Sequence, residues 1–179
     1  NDDTHLMIDA GISGRRIEEG LNQIGLKTSD MSGILVTHEH TDHIGGLGVV
    51  ARKYGIPIYA TGGTIDAIKR SPGTGQISDY LFHEVKPDKR FKVGGMEINP
   101  IKVSHDAAEP VAYRFFENGR SAAVMTDLGK FDDYIVDSLK DCNAILLEAN
   151  HDVNMLQVGP YPYMLKQRIL GDKGHLSND

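Results

Sequence analysis

Four side chains able to hold a metal fall within six positions: His38, His40, Asp42 and His43, in the run Val36-Thr37-His38-Glu39-His40-Thr41-Asp42-His43-Ile44-Gly45-Gly46. Neutral imidazole nitrogens with a carboxylate oxygen suit Zn, Mn or Fe better than Ca or Mg. His38 and His40 lie two apart, so an extended segment presents them on one side. Asp42 and His43 come just after, where a turn can swing them towards a second point. The same residues on a solvated loop would have no role. Four ligand-type residues in six positions, directly behind a buried strand, argue against that reading.

The elements that must position this cluster are visible around it. Ile34, Leu35, Val36 and Thr37 are apolar or β-branched and predict a buried strand. Residues 5–10 predict an earlier strand ending at Asp9-Ala10-Gly11, and a helix follows over 14–24 with Ser13 as its cap. Leu47, Val50 and Tyr54 mark another helix, stopped by Gly55. Pro57–Ala60 reads as a short strand and Thr64–Arg70 as a short helix. Residues 71–79, rich in Gly, Ser and Thr, are expected to form a flexible loop or lid. Two hairpins follow: one turns at Gly94-Gly95 and runs on to His105, the other turns at Asn118-Gly119. A helix over 131–140 leads to a strand, Ala144–Leu147, and the stretch 152–170 reads as helix broken at Gly159-Pro160.

Composition narrows the class. The chain has 179 residues, 40% apolar and 25% charged, as for an ordinary globular domain. A single domain over 1–179 is expected. A net charge of −6 argues against a broadly basic nucleic-acid surface, though not against a local basic track. Cys142 is the only cysteine, which excludes an internal disulfide and fits a reducing, cytoplasmic setting. No apolar run has the length of a membrane span and no signal peptide is visible. There is no initiating Met, and the final Gly174-His175-Leu176-Ser177-Asn178-Asp179 reads as a loop arriving at a helix cap. The expectation is a fold truncated at both ends.

The cluster, with its glycine pair, resembles the His-x-His-x-Asp-His signature of metallo-β-lactamase-fold hydrolases. The resemblance implies an α/β (αββα) sandwich, with two mixed sheets face to face and helices outside. It implies two divalent metal ions, Zn or Mn with Fe as an option. His38, His40 and His105 would hold the first; Asp42 and His43 the second; Asp127 would bridge. Asp9 would support the site from behind. The family closes the second metal with a late histidine, expected here beyond residue 179, with His175 as the other candidate.

Two further resemblances bear on activity. In tRNA 3′-processing endonucleases of this fold, a glutamate pairs with a histidine in a Gly-His motif thought to protonate the leaving group; Glu148 and Gly174-His175 match. Glu148 capping loop amides is the plainer reading of that residue. Asp9-Ala10-Gly11, Val50-Ala51-Arg52-Lys53-Tyr54, Ser104-His105-Asp106-Ala107, Glu148-Ala149-Asn150-His151-Asp152 and Gly159-Pro160-Tyr161-Pro162-Tyr163 are similar to bacterial metallo-hydrolases of the WalJ/YycJ type. His151 and Asp152 carry no role in that reading beyond support. Members are regarded as DNA exonucleases acting from the 5′ end. The resemblance therefore implies a nuclease with DNA as substrate, a two-metal-activated water, Asp42 helping to orient that water, and His175 with Glu148 as the acid pair. Arg15-Arg16, Arg52-Lys53, Lys69-Arg70 and Lys166 with Arg168 could track phosphates or be solvated helix faces. A thioester, lactone or lactam hydrolase of the same fold, and a non-catalytic binding protein, are the alternatives. Oligomeric state is not legible.

Overall fold

A computed structural model describes residues 4–179. The first half alternates strand and helix. β1 (His5–Ile8), β2 (Met31–Leu35), β3 (Ile58–Ala60) and β4 (Phe82–Glu84) form one sheet in that order, with helices α1 (Gly14–Gln23), α2 (Thr41–Ile44), α3 (Leu47–Tyr54) and α4 (Gly62–Arg70) in the crossovers. All its pairings are parallel, so this sheet is not mixed, contrary to expectation. Parallel neighbours require crossovers, and these crossovers carry the helices. β4 was not foreseen, because Phe82-His83-Glu84 is short and polar.

The second half is a meander that closes with a crossover. β5 (Phe91–Val93), β6 (Met96–Lys102), β7 (Val111–Glu117) and β8 (Arg120–Met125) run antiparallel, and β9 (Ala144–Leu147) adds parallel to β8 after helix α5 (Asp133–Leu139). This sheet is mixed. The Asn118-Gly119 turn has both residues at positive φ, 49° and 74°, as a type I′ hairpin requires. Asp132 caps α5 by accepting the Ile135 amide. Helices α6 (Val153–Val158) and α7 (Tyr163–Leu170) follow, broken at Gly159-Pro160 as the sequence indicates.

Alternation along the strands sorts side chains into three apolar layers. Leu35, Val93, Ile98, Val111 and Tyr113 meet between the sheets, with Leu6, Ile8 and Tyr59 against them. Ile34, Val36 and Ile58 face the opposite way, onto Leu47, Val50 and Ile65 of the helices. Ile101, Ala112 and Met125 cover the outer face of the second sheet with Ile135 of α5. The sandwich with outer helices is thus present. The buried Tyr113 hydroxyl ties the sheets together by donating to the Val36 carbonyl at 2.9 Å.

Residues 71–79 are not a loose lid. Arg52 of α3 donates to the carbonyls of Thr74 and Gln76, at 2.7 and 3.2 Å, and Thr74 and Ile77 are buried. The loop packs on α3 so closely that a Cβ on Gly48 would lie 1.8 Å from the Thr74 carbonyl oxygen. Ser13 begins α1 without a side-chain cap bond. At the tail Ser177 forms a parallel bridge with His151.

Candidate metal centre

The cluster sits where β2 ends, at the rim between the two sheets. Its loop is braced from behind by the end of β1. Asp9, in the left-handed region at φ 58°, accepts three hydrogen bonds: from the Thr37 amide at 2.8 Å, the Thr37 hydroxyl at 2.7 Å, and His43 Nδ1 at 2.7 Å. A carboxylate held on an imidazole Nδ1–H fixes the tautomer and leaves Nε2 as the outward donor. Ala10 exchanges backbone bonds with the His43 carbonyl and the Gly46 amide, each at 2.7 Å. This approach is so close that a Cβ on Gly11 would lie 1.4 Å from the Asp42 carbonyl oxygen. Asp9-Ala10-Gly11 therefore acts as a mould for the loop. Thr37, which reads in sequence as one more β-branched strand residue, is the hub of that contact.

The second sheet supplies the other walls. β6 stops at Lys102, so His105 arrives on a short loop rather than directly from the strand. Its Nδ1 donates to the Gly174 carbonyl at 3.1 Å, turning Nε2 towards His40 Nδ1 at 3.3 Å. Asp127 follows β8 in the left-handed region at φ 50°, a second non-glycine residue beside the cluster in that sparsely populated conformation. Its Oδ2 lies 2.8 Å from His43 Nε2 and 3.9 Å from His38 Nε2, and its Oδ1 3.1 Å from His175 Nδ1. Glu148, just past β9, is half-buried with its side chain turned inward, and makes both kinds of contact the sequence left open. One oxygen takes His175 Nδ1 at 2.6 Å; the other accepts the amides of Leu128 and Leu176.

Three sets of donor atoms converge: His38, His40 and His105; His38, His43 and Asp127; His105, Asp127 and His175. Asp42 is the one expected ligand outside these sets. It is 82% exposed and approaches only His43 Nε2, at 3.7 Å. His175, expected first as a proton donor, falls within a donor set as well. Asp152 is not part of the centre; it caps α6 through the Met155 amide. Sequence reasoning gave no role to Asp106, whose Oδ1 lies 3.4 Å from His105 Nε2 while Oδ2 holds Arg168 of α7 at 2.5 Å. Sixty-two residues separate that pair, and nothing local announces it.

The electrostatics suit a cation. His38 Nε2 is buried without a hydrogen-bond partner, a costly arrangement unless something positive binds there. Burial pushes the His38 imidazole down to about 3, with His43 adding to the shift, so the ring is neutral at physiological pH, the form able to ligate a metal. Burial also lowers His105. Around Asp127 the balance reverses. Burial opposes charge on His43, yet the carboxylates of Asp127 and Asp9 outweigh it and raise it to about 10. Asp127 and Glu148 raise His175 to about 9. Asp127 is lowered, its own burial overcome by His175 and His43. A field that favours protons between these groups favours a divalent cation in the same place. The donor set fits a divalent metal.

Comparison with known proteins agrees. Residues 4–178 match the family model described as the beta-lactamase superfamily domain. The chain belongs to the beta-lactamase superfamily. It is 45% identical over 178 residues to a Bacillus anthracis protein named exodeoxyribonuclease YycJ, covering 99% of this chain and 67% of that one. It is 42% identical over 174 residues to exodeoxyribonuclease WalJ of Streptococcus pneumoniae serotype 2 (strain D39 / NCTC 7466), covering 97% and 65%. The chain thus spans about two thirds of the length of these curated relatives. Among solved structures, Zn(2+)-bound PqqB from Methylobacterium extorquens superposes with a TM-score of 0.78 at 15% identity, over 100% of this chain and 66% of that one. The metallo-β-lactamase fold of this superfamily is shared by such neighbours despite their low identity. No helix among the described residues is long and apolar enough to cross a membrane.

Proposed function

We propose that this chain is the catalytic domain of a metal-dependent phosphodiesterase, an exonuclease that degrades DNA from its 5′ end in the cytoplasm. The observation that carries the reading is the placement of His175 between Glu148 and Asp127 at the edge of the donor cluster. An alkoxide leaving group needs a proton, and a half-buried imidazole held between two carboxylates is built to deliver one. The names of the relatives from Bacillus anthracis and Streptococcus pneumoniae support nucleic acid as the substrate class.

His38, His40 and His105 would hold one divalent ion, Zn or Mn. His43 and Asp127 would hold a second, with Asp127 shared and Asp42 swinging in from its exposed position. Such ions, when bound, supply neutralisation of the phosphate and a hydroxide nucleophile at neutral pH. Asp9 and Gly174 fix the His43 and His105 tautomers so that Nε2 faces inward. His175 gives its proton to the departing oxygen, and Glu148 holds the ring in line while it does so. Arg168, parked on Asp106 beside His40 and His105, can turn its guanidinium to a substrate phosphate.

A substrate panel tests the assignment. The metal-loaded, full-length protein is offered end-labelled duplex DNA alongside a thioester, a lactone and a lactam. Nucleotide release from the 5′ end is expected; fast thioester, lactone or lactam turnover with intact DNA would move the protein to another class.

A further inference from the structure

A groove of about 780 Å³ opens beside His105 and is lined by residues of the second sheet's edge, the loop before α5 and α5 itself. Lys102, Lys130 and Lys173 line it, with Ser104 and Tyr134 between them. The three lysines are exposed and come from three segments distant in sequence: the end of β6, the loop before α5, and the loop before His175. Two carboxylates also line the groove, but both are turned into backbone bonds. Glu109 accepts the Gly63 amide at 2.8 Å and Asp132 caps α5. Lys130 pairs with Asp172 at 2.8 Å, an exposed contact that a phosphate can replace. Lys102 and Lys173 make no ion pair among the described residues. Tyr134 fixes the groove wall: its hydroxyl accepts the Lys102 amide at 3.1 Å and donates to Asp88 at 2.7 Å.

From this geometry we infer that the groove is the track for the nucleic-acid backbone on one side of the scissile bond, with Lys102, Lys130 and Lys173 each meeting a phosphate. The inference deepens the nuclease reading and rests on it. It resolves the conflict between an acidic chain and a polyanionic substrate. The chain carries a net charge of −6, yet the wall next to the metal centre presents three exposed lysines; of the acids beside them Glu109 and Asp132 accept backbone amides, and Asp172 alone pairs with one of the three, Lys130. Lysine suits a backbone track, since its ammonium is a compact charge on a flexible stem that can follow a phosphate without a fixed bidentate geometry. Each such contact releases counterions on binding, so the groove should be visible as a salt dependence.

The test is the double variant Lys102→Glu/Lys173→Glu in the full-length, metal-loaded protein. The logarithm of the affinity for a fluorescein-labelled DNA, read by anisotropy, is plotted against the logarithm of salt concentration. Loss of two phosphate contacts should flatten the slope by about 1.4–1.8 and weaken binding at every DNA sequence alike. Turnover of bis(p-nitrophenyl) phosphate, too small to reach the groove, should stay at the wild-type level. The variant Lys27→Glu/Lys92→Glu makes the same charge change on the loop after α1 and on β5, and should leave the slope unchanged. Equal slopes for wild type and the groove variant would overturn the track, as would an equal flattening in the remote variant. Failure of the wild type to cleave either DNA or the small diester would instead remove the nuclease reading, so the two failures are told apart.

Discussion

Replacing Asp9 by Asn probes the brace behind the metal centre with almost no change in shape. Asn tolerates the left-handed backbone that Asp9 adopts at φ 58°, so the turn itself should survive. Its Oδ1 can still accept the Thr37 amide. The amide nitrogen, however, replaces the oxygen that now takes both the Thr37 hydroxyl and His43 Nδ1, each at 2.7 Å. The hydroxyl can rotate to accept. The imidazole cannot: either donor faces donor, or the proton moves to Nε2, the nitrogen aimed at Asp127. In the second case His43 can no longer ligate. Loss of one hydrogen bond to a charged group costs roughly 1.5–3 kcal/mol of stability. Loss of an outer partner to a metal-bound histidine costs about 10- to 100-fold in metal affinity, or about 1.4–2.8 kcal/mol. Chelator competition measures the affinity and thermal melting of the metal-free protein measures the stability. Metal affinity within twofold of wild type, together with an unchanged melting temperature, would refute the bracing argument.

Other substitutions probe separate links. Gly11→Ala should destabilise by about 3 kcal/mol or more and cost metal content, because its Cβ would meet the Asp42 carbonyl at 1.4 Å; denaturant unfolding and elemental analysis read both. Tyr113→Phe should cost about 1–3 kcal/mol in urea unfolding, since the buried Val36 carbonyl loses its donor while the ring still fills its place between the sheets. His175→Ala should slow turnover by about 10²- to 10⁴-fold while metal stoichiometry stays at the wild-type value; loss of one equivalent would show that His175 is a ligand instead.

Much of the site was legible because its residues sit where strands end. The pattern Ile34 to Thr37 foretold the strand behind His38 and His40, and Asn118-Gly119 foretold the hairpin that aims Asp127. Glu148 and His175, 27 residues apart, do meet, at 2.6 Å. What could not be read is direction and long-range contact. Asp42 shares the spacing of its neighbours, yet its side chain turns to solvent, since the first turn of α2 exposes it while burying Ile44. The Gly-rich stretch 71–79 looks loose by composition, but Arg52 and the bare backbone of Gly48 hold it in place from 22 or more residues away. The Asp106–Arg168 pair and the lysine groove are likewise products of assembly, with no local pattern to announce them.

Metal add-back on DNA reaches the central claim most directly. Full-length protein is stripped by chelation, reloaded with Mn or Zn, and mixed with duplex DNA labelled at its 5′ end. The account expects no cleavage by the stripped protein and progressive release of labelled nucleotides once metal is restored. Intact DNA after reloading, in a protein whose metal content has been verified, would contradict it.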